Sequence, residues 1–383
     1  MQEIKKFLPL SRPTISKETI DEVVNVLKSG WLATGPLTQK FETELSHYYA
    51  ERKVACFTSA TAGLQAALMA IGIKPGDEVI TTPMTFVCTA NVIAMLGAKP
   101  IFVDIDRNTF NIDENKIEAA CTEKTKAIMP VHYAGLPVNL DVIYQIAKNK
   151  NLRVIEDAAH AVGSSYKGRK IGTFGDIQVF SFHPIKNMTS GEGGCVVLDN
   201  ENEYKALGLQ RFHGIDRSIW DRFSKKGNSS YDVVMPGFKS NMSDIQAAIG
   251  LHQLSEVEGM NAKRRHLAQR YREAFADMDD KFAMQAQPNY EYIHSGHLFP
   301  VCLRDGDKRD KLMSYLKENM IGALAYYAPV HLFSYYQKEF RYKKGDFPET
   351  EYVGDRIICL PLYVDLSEDE QDYVIDKVRV FFN

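Results

Sequence analysis

From Lys53 to Leu198 the chain alternates short apolar runs with longer amphipathic stretches. Residues 53–58, 78–81, 100–104, 127–131, 153–156, 177–182 and 195–198 read as strands, being short, rich in β-branched residues and bounded by polar or turn residues. Helical spacing fills 62–71, 89–96 and 140–148 between them, the last with Asn139 as its expected cap. Such alternation predicts a mostly parallel sheet with helices on both faces, and ligands at the carboxyl ends of its strands. The pattern changes after Asn241. A long helical stretch covers 243–278, with a break expected near Glu258 and Gly259. Beyond it lie short strands at 298–303 and 324–326, a helix at 308–318 and a final helix from Glu368. The fold class expected is therefore α/β: a large domain over 1–254 and a smaller α+β domain over 255–383.

Composition narrows the function. A chain of 383 residues is long enough for two such domains, and a net charge of −3 gives no electrostatic case for nucleic acid or an anionic membrane. No apolar run approaches the ~18 residues of a membrane span, and the opening MQEIKKFLPLSRP lacks the apolar core of a secretory signal. The six cysteines stand far apart with no C-x-x-C pair, which fits free thiols in a reducing compartment rather than disulfides or a metal site. A cytoplasmic enzyme without metal is the expectation.

Four stretches carry candidate chemistry. In TSATAGLQAAL a strand runs straight into a helix, so Ser59 and Thr61 either cap the helix or join its free N–H groups in holding an anion. Phe86, just past another strand end, is either core or a flat face for a ring. In RVIEDAAHAVG, Glu156 and Asp157 end a strand. A carboxylate there serves either as a helix-start acid or as the partner of a protonated ring nitrogen, with His160 beside it. In FSFHPIKNMTSGEGG, Ser181, His183 and Lys186 follow a strand end, and Gly191, Gly193 and Gly194 let the backbone turn. Lys186 is either a solvated turn charge or an amine nucleophile with a pKa lowered by desolvation. Each bland reading stands alone; all four together, in this order, point to a pyridoxal enzyme.

These residues, with SATAGL, GDEVITTPMTFVCTAN, TKAIMPVHYAG, VIEDAAHAVGSSYKG, RFHG and NMSDIQAAIGLHQL, resemble the DegT/DnrJ/StrS-type sugar-nucleotide aminotransferases over essentially the whole chain. The resemblance implies the aspartate aminotransferase-like fold type I and pyridoxal 5′-phosphate as cofactor. It implies that Lys186 forms the covalent link to the cofactor, Asp157 pairs with its ring nitrogen, Phe86 stacks on the ring and His160 sits beside it. Ala60, Thr61 and Ser181 would hold the phosphate, and Asn241 would reach the phosphate of a neighbouring subunit in a homodimer. The implied substrates are L-glutamate, leaving as 2-oxoglutarate, and a nucleotide-linked 4-keto sugar. Trp31, Thr34, Gly35, His183 and Tyr326 are candidates for the sugar site, and Lys28, Arg211 and Lys239 for a diphosphate. The opening segment, SATAG and PVHYAG most resemble enzymes that aminate a UDP-4-keto-pentose of the L-arabinose type in lipid A modification. Phe86 and Tyr326 depart from that branch, and Phe86 resembles enzymes of 4-keto-6-deoxyhexoses instead.

Overall fold

The structure, a computed structural model, describes residues 6–216 and 230–383. Among the described residues nine strands precede the long helix: β1 (Lys53–Phe57), β2 (Glu78–Thr81), β3 (Lys99–Phe102), β4 (Thr125–Ile128), β5 (Arg153–Asp157), β6 (Ser165–Tyr166), β7 (Arg169–Lys170), β8 (Ile177–Ser181) and β9 (Gly194–Leu198). Seven of them form one sheet in the order β1-β9-β8-β5-β4-β2-β3. The β3-β2-β4-β5-β8 part is parallel throughout, and β9 pairs antiparallel with both β8 and β1.

Strand periodicity divides the core between the two faces of this sheet. Ile177 and Val179 of β8, with Val196 and Leu198 of β9, pack under the helices Ala60–Ala70 and Val87–Met95. Phe180, Cys195 and Val197 face the other way, onto Phe41, Leu45, Ile143 and the start of the long helix. Both faces are thus covered, as the alternation predicts, and the parallel strands are buried except at Lys99 and Lys126, which are exposed, and at partly buried Glu78, Ile101 and Arg153.

The remaining strands are β10 (Phe282–Met284), β11 (Tyr292–Ile293), β12 (Phe299–Leu303) and β13 (Ile357–Leu360). β12 lies between β10 and β13 in an antiparallel sheet, backed by the helices Arg309–Glu318 and Glu368–Phe382. β11 instead joins β6 and β7 of the larger part in a three-stranded sheet. Leu8, near the start of the chain, also packs in the C-terminal core, where it bridges to Ile321.

Three local expectations are corrected. The long helix runs unbroken from Asp244 to Ala274, opened by a capping box between Ser243 and Gln246. One interior glycine costs a helix only about 1 kcal/mol, and buried Val257, Met260 and Asn261 hold both sides of Gly259 in place. The division at 254/255 therefore falls inside one helix, which gives Leu254 and Val257 to the larger core and Leu267 and Tyr271 to the smaller. The segment 324–326 is not a strand but a single bridge from Leu324 to Cys359. Asn139 stands at the helix start, yet its side chain donates to Glu114 Oε1 at 2.9 Å and accepts from Tyr166, not from the helix.

The helices Lys17–Ser29 and Pro36–Tyr48, which the strand pattern did not announce, pack against the long helix. Between them Gly35 meets Trp31 so closely that a Cβ would lie 2.1 Å from the indole nitrogen, and its N–H donates to Asp244 at 2.8 Å.

Candidate active site

Three strand ends converge on one cavity. β1 leads into the helix Ala60–Ala70, where Ser59 accepts from the Ala62 N–H at 3.1 Å and so acts as the N-cap. That leaves Thr61 exposed at the helix start. β9 passes directly beneath: a Cβ on Gly194 would lie 2.5 Å from the Ala60 nitrogen, so only glycine permits this approach.

β5 ends at Asp157, which is buried. Thr89 donates to its Oδ2 at 2.8 Å and the Ala159 N–H to its Oδ1 at 3.2 Å. Burial raises the carboxyl's pKa, while these two hydrogen bonds, then Lys186 and His132, pull against that rise.

β8 ends at Ser181. The loop beyond is tightened by Lys186 N–H donating to the His183 carbonyl at 2.9 Å. Lys186 projects into the cavity, and removal from water lowers its ammonium pKa to about 8 against the opposing pull of Asp157 and Cys88.

The cavity measures about 250 Å³. Lys186 and Asp157 line it together with Ala60, Thr61, Ser181 and His160, and Phe86 stands half exposed at its edge. His183 and Glu192 lie on its rim, 3.8 Å apart. The C-terminal part closes it with Tyr326 and Tyr327, whose rings are 5.0 Å apart. His160 accepts the Ala134 N–H on Nδ1 at 3.2 Å, so its neutral ring carries the proton on Nε2, which faces the Tyr327 hydroxyl at 3.1 Å. Burial first, and Lys186 next, hold the His160 pKa well below its ordinary value, which keeps the ring neutral.

Behind β5 lies a buried polar layer whose pairings the sequence pattern does not reveal. His132 accepts the Val138 N–H on Nδ1 at 3.1 Å, so its Nε2 carries the proton and donates to Glu156 at 2.8 Å. Tyr144 at 2.7 Å and Gln178 at 2.5 Å donate to the other Glu156 oxygen, and Arg52 donates in turn to Gln178 at 2.5 Å. This satisfied buried network fixes the segment that aims Ala134 at His160. The motifs PVHYAG and VIEDAAH contain both partners, but spacing alone does not reveal that they meet.

Trp31, Thr34, Gly35 and Asn241 form a separate cluster. Asn241 donates to Thr34, Trp31 Nε1 donates to the Thr34 carbonyl at 3.3 Å, and Lys239 donates to Asn241 at 2.5 Å. None of the four lines the Lys186 cavity of this chain. Arg211 is held by Glu42 and the Cys56 carbonyl, and lines a second hollow that Thr34 and Asn241 share. Lys28 lies exposed in the last turn of the first helix. Among the described residues no His, Cys, Asp or Glu cluster is suited to a metal, and no helix is long and apolar enough to cross a membrane.

The Lys186 cavity joins a partly neutral amine, a buried carboxylate, a helix start with the exposed Thr61 hydroxyl, and an aromatic edge. That donor set fits a phosphorylated pyridine aldehyde: N–H groups for the phosphate, a carboxylate for a ring cation and an amine for the carbonyl.

Comparison with known proteins agrees. The profile of the DegT/DnrJ/EryC1/StrS aminotransferase family matches residues 13–379. The spore coat polysaccharide biosynthesis protein SpsC of Bacillus subtilis is 43% identical over 383 residues, covering 99% of this chain and 98% of its own. An uncharacterized protein of Methanocaldococcus jannaschii is 45% identical over 378 residues, covering 98% and 97%. Among solved structures, the sugar aminotransferase Spr1654 of Streptococcus pneumoniae in its PLP-form has a TM-score of 0.90 at 33% identity, covering 98% of both chains. PseC of Helicobacter pylori, an aminotransferase involved in the biosynthesis of pseudoaminic acid, has a TM-score of 0.91 at 30% identity, covering 98% of this chain and 99% of its own. The chain belongs to the DegT/DnrJ/EryC1/StrS aminotransferase family, and it is a pyridoxal phosphate-dependent sugar aminotransferase.

Proposed function

We propose that the protein transfers the amino group of L-glutamate to C4 of a nucleotide-linked 4-keto sugar, with Lys186 as the amine that holds the cofactor and moves the proton. The single observation that carries this reading is the Lys186 side chain, set in a cavity with Asp157 and with its pKa lowered to about 8.

When bound, pyridoxal phosphate supplies an electron sink for the bond electrons at the reacting carbon. The chain does the rest. Asp157, fixed by Thr89 and Ala159, would pair its carboxylate with the ring nitrogen. The helix start at Ala60 and Thr61, with Ser181, takes the phosphate. Phe86 would offer a face to the ring, and His160, held neutral, would add no competing positive charge beside it. Lys186, once displaced by the incoming amine, is free to take a proton from one carbon and return it to the next, because an amine with a pKa near 8 exists in both forms at neutral pH.

Two acceptors follow from the sequence: a UDP-4-keto-pentose, and a nucleotide-linked 4-keto-6-deoxyhexose or its N-acetyl form. The aromatic wall of Phe86, Tyr326 and Tyr327 favours the second, because a C6 methyl group gains from apolar contact that a pentose does not make. Asn241, Thr34 and Trp31 lie outside this chain's cavity, which supports a homodimer in which each chain completes the other's site. Product use in a cell-surface glycan accords with the reading; lipid A is one such destination.

The test is a panel of UDP-, dTDP- and GDP-linked 4-keto sugars assayed with L-glutamate for amino-sugar product. We expect a kcat/KM for the best 6-deoxyhexose at least about tenfold above that for the pentose, the value of roughly one to two buried methyl groups. Equal or reversed preference overturns the acceptor, and no product from any sugar overturns the function.

A further inference from the structure

A further hollow, of about 420 Å³ and open to solvent on one side, lies between the long helix and the segment 285–300. Arg265, Gln269 and Arg272 are spaced four and three residues apart on Asp244–Ala274, so they share one helix face and line one wall. Arg265 Nη1 is buried with no hydrogen-bond partner. Arg272 donates through Nη2 to the Gln285 carbonyl at 2.9 Å, and its guanidinium lies 6.0 Å from the centre of the Phe299 ring.

Other charges nearby are already matched. Arg270 pairs with Glu368 at 3.0 Å and Asp372 at 2.6 Å, Glu258 accepts from Lys170 at 2.7 Å, and Gln269 donates to Glu273 at 2.8 Å. Among the described residues, no aspartate or glutamate lines the cavity and neither Arg265 nor Arg272 forms an ion pair. His294 accepts the Gly296 N–H on Nδ1 at 2.9 Å and directs its Nε2 proton to Gln285 at 3.2 Å, so it brings no countercharge. Burial, followed by the potential of Arg272 and Arg265, lowers its pKa to about 3.

Arg265 feels the charge of Glu258, which forms no ion pair with it and is already held by Lys170 and Tyr48, and its buried Nη1 lacks an acceptor that an anion between Arg265 and Arg272 would supply. Planar guanidinium forks match phosphate oxygens two at a time. We propose that this cavity binds a phosphate-bearing anion, gripped by Arg265 and Arg272, with Tyr292, Phe299 and Pro300 facing the rest of the ligand. The site is separate from the aminotransferase cavity, and no residue lines both. It is nonetheless one layer away. The same segment donates from Ser295 Oγ to the His160 carbonyl at 2.6 Å, and sets the His297 ring 4.2 Å from the His160 ring at a tilt of 38°.

The experiment is calorimetric titration of the cofactor-loaded protein with inorganic pyrophosphate, comparing wild type, R265Q, R265Q/R272Q and the control R270Q. Wild type and R270Q are expected to share a binding event that R265Q weakens at least about tenfold and R265Q/R272Q removes. All four proteins should keep the same kcat and KM, because neither arginine touches the Lys186 cavity. The proposal is overturned by the absence of binding to wild type up to about 10 mM, by unchanged affinity in R265Q, or by equal weakening in R270Q. R265Q alone decides the matter should the double variant not fold.

Discussion

Lys186→Ala is expected to lower kcat by about 10⁴-fold while leaving the fold intact. No other lysine lines the cavity among the described residues, so no second amine is placed to take over. Lys186→Arg should fail to the same degree, because a guanidinium stays protonated and cannot shuttle a proton near neutral pH. Lys186→Ala should not reduce stability, whereas the permanently charged guanidinium of Lys186→Arg should lower it. The Lys186 ammonium is disfavoured by its surroundings, as its lowered pKa records, so replacing it with alanine relieves a cost instead of breaking a bond. Steady-state kinetics beside thermal unfolding checks both halves. Activity within tenfold of wild type, or a collapse of the fold in Lys186→Ala, contradicts the assigned role.

Asp157→Asn is the second large effect, expected at about 10²- to 10³-fold in kcat. The substitution keeps the shape and an acceptor for the Ala159 N–H but removes the negative charge. That charge is hard to maintain here. Burial opposes it, and the strand end answers with Thr89 and Ala159, two donors aimed at its oxygens. A merely structural carboxylate would tolerate Asn with a change below about threefold, and such a result sinks the pairing with the ring nitrogen. A positioning effect is separated from a charge effect by the pH dependence of the cofactor's absorption. It should shift strongly in Asp157→Asn and by a smaller amount in Thr89→Val, which removes one of the two donors that favour the charge.

The strand sequence was largely legible because a parallel sheet buried on both faces leaves uninterrupted apolar runs, and β2 and the final helix begin where the pattern puts them. Lys186, Asp157, His160, Ser181 and Thr61 stand out in the sequence because they lie at or after strand ends, which this topology must bring together, and Ala60, named by the family resemblance, lines the same cavity. Long-range side-chain partnership was not. Nothing in the spacing says that His132 meets Glu156, that Tyr327 reaches His160, or that Gly35 must admit Trp31. The unbroken helix was misread because glycine propensity is weak against the packing on either side of it. The grouping of Trp31, Thr34 and Gly35 with Asn241, away from Lys186, depends on how two distant loops meet, which no local pattern encodes.

The most direct test of the central claim is covalent trapping. Cofactor-free protein is mixed with pyridoxal phosphate at a series of pH values, reduced with borohydride and digested, and the labelled peptide is identified by mass spectrometry. The predicted result is one label per chain, on Lys186, with capture rising with pH and levelling off above about 8 instead of near 10.5, because only the neutral amine attacks the aldehyde. Label on any other lysine, or a pH profile that climbs to the range of an ordinary surface lysine, contradicts the account.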